Sequence, residues 1–209
     1  MPSVASPPEQ RVVLGNVAWE TYERLLDEHS ERSSPRFTYD RGALEIISPS
    51  AEHEWYSRLI CDLVKLLTRE LRIDVLDLGS TTFRRAAAKR GFEPDSAFYV
   101  THARQVRGKE RIDLAVNPPP DIVVEVAVTH PSISEFPICA ELGVPEVWSY
   151  DGSFLHICGL SGSEYMEMPS SRVLPRLHAK ELSEFLEMGR AMDSVTWPNE
   201  VLERFRRPA

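Results

Sequence analysis

The chain has 209 residues, 42% of them hydrophobic and 27% charged, enough for one sizeable core with at most a small appendage, so a single domain over 11–209 is expected behind a Pro/Ser-rich, disordered tail over 1–10. No apolar run approaches the roughly 18 residues of a membrane span, and Cys61, Cys139 and Cys158 are scattered without a C-x-x-C spacing; a membrane protein, a disulfide scaffold and a zinc site are excluded, and a soluble cytoplasmic protein is the expectation. The formal net charge of −8 argues against a generally basic nucleic-acid-binding surface and leaves only local strips, Arg104 to Arg111 and Arg84 to Arg90, for phosphate contacts.

In chain order, Asn16 is a candidate cap for a helix from Val17 to His29, with Trp19, Tyr22, Leu25 and Leu26 at helical spacing. Two strands, Arg36 to Tyr39 and Ala43 to Ile47, flank Asp40-Arg41-Gly42, a hairpin signal. The long pattern from Ala51 to Arg72 places Trp55, Leu59, Ile60, Leu63, Val64, Leu67 and Leu71 on one broad face, which predicts the main core helix. Strands follow at Val75 to Leu78 and Ser80 to Arg85, then a basic loop over Ala86 to Gly91. Asp95 to Val100 and Asp121 to Thr129 read as buried strands, and Ser134 to Leu142 as a helix stopped by Gly143. Pro145 to Tyr150 and Phe154 to Ile157 form a hairpin about Asp151-Gly152, and Tyr165 to Met168 adds an edge. Helices at Glu181 to Met188 and Asn199 to Arg207 close the chain. The order predicts an α/β fold, a mixed β-sheet flanked by helices.

The residue that breaks pattern is Glu125. Alternation along a strand puts Asp121, Val123 and Glu125 on one face and Ile122, Val124 and Val126 on the other, so Glu125 stands in an otherwise apolar strand. Such a carboxylate must be paired, protonated or bound to a metal. Asp121 lies about 13 Å away along an extended strand, too far to share an ion, which leaves Asp95, delivered to a neighbouring strand by Gly91-Phe92-Glu93-Pro94, as the partner. A carboxylate pair of this kind suits Mg²⁺ or Mn²⁺ and metal-assisted phosphodiester hydrolysis; a buried ion pair is the alternative. His53 and Glu54, at the start of the long helix, are candidates for an outer ligand or a water-positioning group, and for ordinary helix capping. His130 follows the Glu125 strand.

Pro94-Asp95 followed by Glu125 in an apolar strand, behind a helix carrying His53 and Glu54, resembles the PD-(D/E)XK nuclease superfamily. Ser80-Thr81-Thr82-Phe83, Glu93-Pro94-Asp95, Pro120-Asp121-Ile122-Val123-Val124-Glu125-Val126 and Phe136-Pro137-Ile138-Cys139-Ala140-Glu141-Leu142-Gly143-Val144-Pro145-Glu146-Val147-Trp148 resemble, more closely, the Uma-type restriction endonucleases, over about Trp19 to Leu186. The resemblance implies a restriction-endonuclease-like core, a divalent ion (Mg²⁺ or Mn²⁺) on Asp95 and Glu125, Asp121 as a supporting acid, and DNA as partner; a homodimer is compatible with cutting both strands. One position departs from it. The family's lysine, which orients the attacking water and stabilises the phosphorane, falls on Glu135, and the strand's own X-Lys slot holds Ala127. Two readings stand open: an endonuclease that draws its cation from elsewhere, and a catalytically impaired nuclease fold that serves as a binding or regulatory module.

Overall fold

The computed structural model describes residues 9–29, 34–128 and 133–207; most of the expected tail, and His130, lie outside the described residues. In chain order the elements are β1 (Gln10–Leu14), α1 (Trp19–Glu28), β2 (Arg36–Asp40), β3 (Ala43–Ser48), α2 (Ala51–Glu70), β4 (Leu76–Asp77), β5 (Phe83–Arg85), β6 (Arg90–Phe92), β7 (Ser96–Tyr99) and α3 (Ala103–Val106). They continue with β8 (Ile122–Val126), α4 (Phe136–Leu142), β9 (Glu146–Tyr150), β10 (Leu155–Ser161), β11 (Glu164–Met168), α5 (Ala179–Ala191) and α6 (Thr196–Phe205). No helix among the described residues is long and apolar enough to cross a membrane.

The strands form two sheets. A six-stranded mixed sheet runs β11-β10-β9-β8-β7-β4, and its β8–β9 pair is parallel while every other pairing in it is antiparallel. The parallel pair obliges the chain to leave the sheet after Val126 and return at Glu146, and α4 makes that crossover. An antiparallel five-stranded sheet runs β1-β3-β2-β6-β5.

The alternation read from β8 decides how the mixed sheet packs. Ile122, Val124 and Val126 join the core beneath α2, α5 and α6, together with Ile60, Leu63, Val64, Leu67, Trp148, Leu182 and Val201. Val123 points the opposite way, into a second core with Ala97, Val106, Ile138, Cys139 and Val147. Glu125 shares the face of Val123 at the far end of the strand. The antiparallel sheet has its own cover: α1 sets Trp19, Tyr22 and Leu26 on Phe37, Tyr39 and Leu44, with the Tyr22 and Tyr39 rings stacked at 4.9 Å between centroids.

Several local expectations shift for physical reasons. Asn16 does not cap α1; it takes φ 58, the left-handed conformation Asn tolerates, and the helix begins at Trp19 behind Ala18. The hairpin at Asp40-Arg41-Gly42 closes through two residues of positive φ, Arg41 at 50° and Gly42 at 103°, whose twist suits a tight antiparallel pair. The segment expected as a basic loop supplies β6, which joins β2 to β5. Gly91 lies in this strand: a Cβ there would collide with the Tyr22 hydroxyl and sit 2.9 Å from Arg84 Cβ. Gln10 to Leu14, to which the sequence assigned no element, pairs with Leu44 to Ser48 of β3.

Candidate active site

Asp95 and Glu125 are brought together as expected, by register. Ser96 pairs with Val124 and Ala97 with Val123 across β7 and β8, so continuing one step sets Asp95 opposite Glu125. The Asp95 carboxylate is engaged at both oxygens: Oδ2 accepts from the Val126 backbone N–H at 2.6 Å, and Oδ1 meets His53 Nε2 at 2.7 Å and the guanidinium of Arg36. Ser57 Oγ, one turn beyond His53 on α2, donates to the Asp95 carbonyl at 3.3 Å. Ser50 caps that helix through the His53 N–H at 3.1 Å, which fixes the first turn and aims His53 inward.

His53 lies between two carboxylates, Asp95 and, at 3.1 Å from Nδ1, Glu9. Burial is the largest influence on it and Arg36 the next; together they outweigh Glu9 and lower its pKa, favouring the neutral ring. Glu54 faces outward instead. It accepts from Arg36 at 2.8 Å and from Arg58 at 3.3 Å with 39% of its side chain exposed, and it does not line the cavity that holds Asp95 and Glu125.

Asp121 is placed apart from these groups. It accepts from the Val100 N–H at 2.7 Å and the His102 N–H at 3.2 Å and pairs with His102 Nδ1 at 2.7 Å. At the opposite end of β8 from Glu125, it ties down the turn after β7, and it too is absent from the cavity wall.

The cavity has a volume of about 230 Å³ and is lined by Arg36, His53, Glu93, Asp95, Glu125 and Glu135 among others, with Ala127 contributing only a methyl. Glu135, at the cap of α4, accepts from Thr38 Oγ1 at 2.7 Å and shares a hydrogen bond with Glu125. Glu125 Oε1 and Glu135 Oε2 are both buried, and no donor group of another residue reaches either. Burial foremost, then the charge and hydrogen bond of Glu135, push the Glu125 carboxyl well above its usual range, and burial raises Glu135 as well. Two carboxyls in hydrogen-bond contact in this setting hold a proton between them.

Sequence reasoning missed Arg36, Thr38 and Glu93. The signal was present in Arg36-Phe37-Thr38-Tyr39, where polar and aromatic residues alternate, a pattern that by itself fits one dry and one solvated face. Here the polar face is buried as well: Arg36 is 7% exposed and Thr38 2%. Glu93 accepts from the Phe37 N–H at 2.9 Å and from Thr82 Oγ1 at 2.6 Å, fixing the chain between β6 and β7 to β2 and to the start of β5. It also borders a second, larger cavity of about 470 Å³, lined by Arg84, Arg111, His29, Ser80, Thr81 and Thr82 among others. Three other arginines of the basic strips are spent structurally: Arg85 on the Glu141 and Leu142 carbonyls, Arg90 on Asp40 and the Pro137 carbonyl, and Arg107 on Asp74.

A family model, Uma2, described as "Putative restriction endonuclease", matches residues 19–194. The chain belongs to the Uma2 family. A crystal structure from Anabaena variabilis, described as a "putative nuclease belonging to DUF820", is similar in fold, at 16% identity and a TM-score of 0.50 over 77% of this chain and 98% of that one. No curated protein matches the chain. Membership supports a nuclease-type function and places the fold in the restriction-endonuclease-like class, whose members use divalent metals.

The donor set suits such an ion. Asp95, Glu125 and Glu135 offer hard oxygen ligands of the kind Mg²⁺ and Mn²⁺ take, and the two oxygens of Glu125 and Glu135 that no other residue's donor reaches are buried acceptors that a cation would satisfy. As they stand, no three His, Cys, Asp or Glu side chains among the described residues are gathered into a ligand cage. Asp95 is held by Arg36 and His53 instead.

Proposed function

We propose that this Uma2 family protein is a divalent-metal-dependent endonuclease that hydrolyses phosphodiester bonds in DNA, with Asp95, Glu125 and Glu135 as the carboxylates of its Mg²⁺ or Mn²⁺ site. The observation that carries the reading is the pair of buried oxygens on adjacent carboxyls, Glu125 Oε1 and Glu135 Oε2, that no donor group of another residue reaches. Two such groups side by side require a shared proton or a cation, and a cation between them would satisfy both. Bound there, the ion would lower the pKa of a water molecule and offset charge on the phosphate.

The chain's own residues do the rest. Val126 N–H and His53 hold the Asp95 carboxylate in one orientation, and Thr38 holds Glu135. The proton that Glu125 and Glu135 share leaves as a cation enters, because ligating carboxylates are ionised. Arg84 and Arg111, in the larger cavity that meets the carboxylate cavity at Glu93, are the cations placed to receive the flanking phosphates. A twofold pair of such chains would present one site to each strand of a duplex.

A second reading has its own observation in favour. With Glu135 at the family's lysine position and Arg36 on Asp95, the fold would bind without cutting. Cleavage of supercoiled plasmid with Mg²⁺ or Mn²⁺ separates the two. Cutting by the native chain that disappears in Glu125→Ala establishes the nuclease. Cutting that appears only in Glu135→Lys establishes the impaired form.

A further inference from the structure

Within the carboxylate cavity one cation stands at the centre. Arg36 donates through Nη1 to Asp95 and through Nη2 to Glu54, at 2.8 Å for the latter. Its Nε is buried without a partner, and only 8% of its side chain is exposed. Its charge is also felt across the cavity by His53, Glu93, Glu125 and Glu135, whose pKa values it lowers. The other cavity arginine, Arg11, is directed to Glu9 and Glu45 at 2.7 and 2.9 Å.

Both oxygens of Asp95 already accept hydrogen bonds: Oδ1 from Arg36 and His53, and Oδ2 from Val126 N–H. A metal bond at the crowded Oδ1 requires one of its donors to yield, and the donors around Asp95 differ in how readily they can. Val126 N–H belongs to the backbone of β8, between two neighbouring strands. His53 is fixed in the capped first turn of a 20-residue helix. Arg36 holds on by a long side chain with a second acceptor, Glu54, already in hand, and it is the donor whose full positive charge opposes an incoming ion.

We infer that Arg36 is the resident counter-cation of this site: Arg36 and the divalent ion are alternative partners of Asp95, and loading the ion displaces the guanidinium. The inference rests on the assignment of Asp95, Glu125 and Glu135 as metal-binding carboxylates. It answers a question the sequence raises, since Ala127 and Glu135 leave both lysine positions without a cation. The displaced guanidinium remains tethered beside the cavity through Glu54, where it is the group available to a phosphate oxygen.

Calorimetric titration of the full chain with Mn²⁺, in the absence of DNA, tests the competition apart from activity. Arg36→Gln removes the competing charge, and its Mn²⁺ affinity is expected to rise at least about tenfold over the parent. Its melting temperature in EDTA should fall and be restored by Mn²⁺, because the ion takes over the neutralising role. Arg36→Lys, which keeps the charge and loses the two-pronged fork, falls between the two and serves as the informative variant should Arg36→Gln not fold. A parent that binds Mn²⁺ with affinity equal to or greater than both variants overturns the competition and leaves the metal site standing. Absence of Mn²⁺ binding in the parent and in both variants overturns the metal site and the competition together.

Discussion

Replacing Glu125 by glutamine isolates the proton held between the two buried carboxyls. In the unfolded chain a glutamate titrates near 4.5, and burial together with Glu135 holds the folded Glu125 well above that value. The sign follows from proton counting: between the two pKa values the folded state keeps a proton that the unfolded state has released, so the contribution is fully present at acid pH and is lost as pH rises toward the folded pKa. Each pH unit between the two pKa values removes about 1.4 kcal/mol, or about 3–6 °C of melting temperature in a domain of this size. Glutamine cannot titrate, and its amide still donates to Glu135. In EDTA, Glu125→Gln should therefore match the parent near pH 5 and exceed it increasingly toward pH 8. Urea unfolding of both proteins at pH 5.5, 7 and 8.5 measures the difference directly, and the shared contribution of His53 and other groups cancels in it. A difference that stays constant across the three pH values would refute the shared proton.

Other perturbations probe the frame around the site. Gly91→Ala drives a methyl into the Tyr22 hydroxyl and Arg84 Cβ, and should cost about 1–3 kcal/mol in urea unfolding. Glu146 is 1% exposed and accepts from Trp148 Nε1, Ser171 Oγ and the backbone N–H groups of Arg172 and Val173; Glu146→Ala strands all four donors, and a loss of about 3–5 kcal/mol is expected. Asp121→Ala frees Val100 and His102 and should lower stability by about 1–3 kcal/mol with Mn²⁺ affinity unchanged; weakened Mn²⁺ binding would instead make it the supporting acid its sequence context suggested.

What was legible in the sequence was whatever one element carries by itself. The apolar face of α2 and the alternation of β8 are local periodicities, and they gave the core helix, the buried strand and the anomaly of Glu125. Asp95 was named as the partner of Glu125 by elimination, because Asp121 lies too far along the same extended strand to share an ion. Arg36 escaped notice because its environment is made by distant chain. A strand with alternating arginine and threonine reads as half-solvated until α2, β8 and the α4 crossover are brought against it, and no local pattern states that they will be. The pairing of Gln10 to Leu14 was hidden for the same reason: its partner β3 buries little of it, and Val12, Val13 and Leu14 stay 53%, 47% and 44% exposed, so burial left no mark in its composition.

The crossover through α4 has a bearing on how such a site can change. Glu135 reaches Glu125 from a segment outside the hydrogen-bonded ladder, held by Thr38 and by the first turn of a short helix rather than by strand neighbours. A substitution at this position alters the charge beside Glu125 without touching register, twist or the apolar layers on either side of β8. The scaffold and the reactive group at residue 135 are thereby separable inheritances, and lysine and glutamate can trade places there while the architecture around them stays the same.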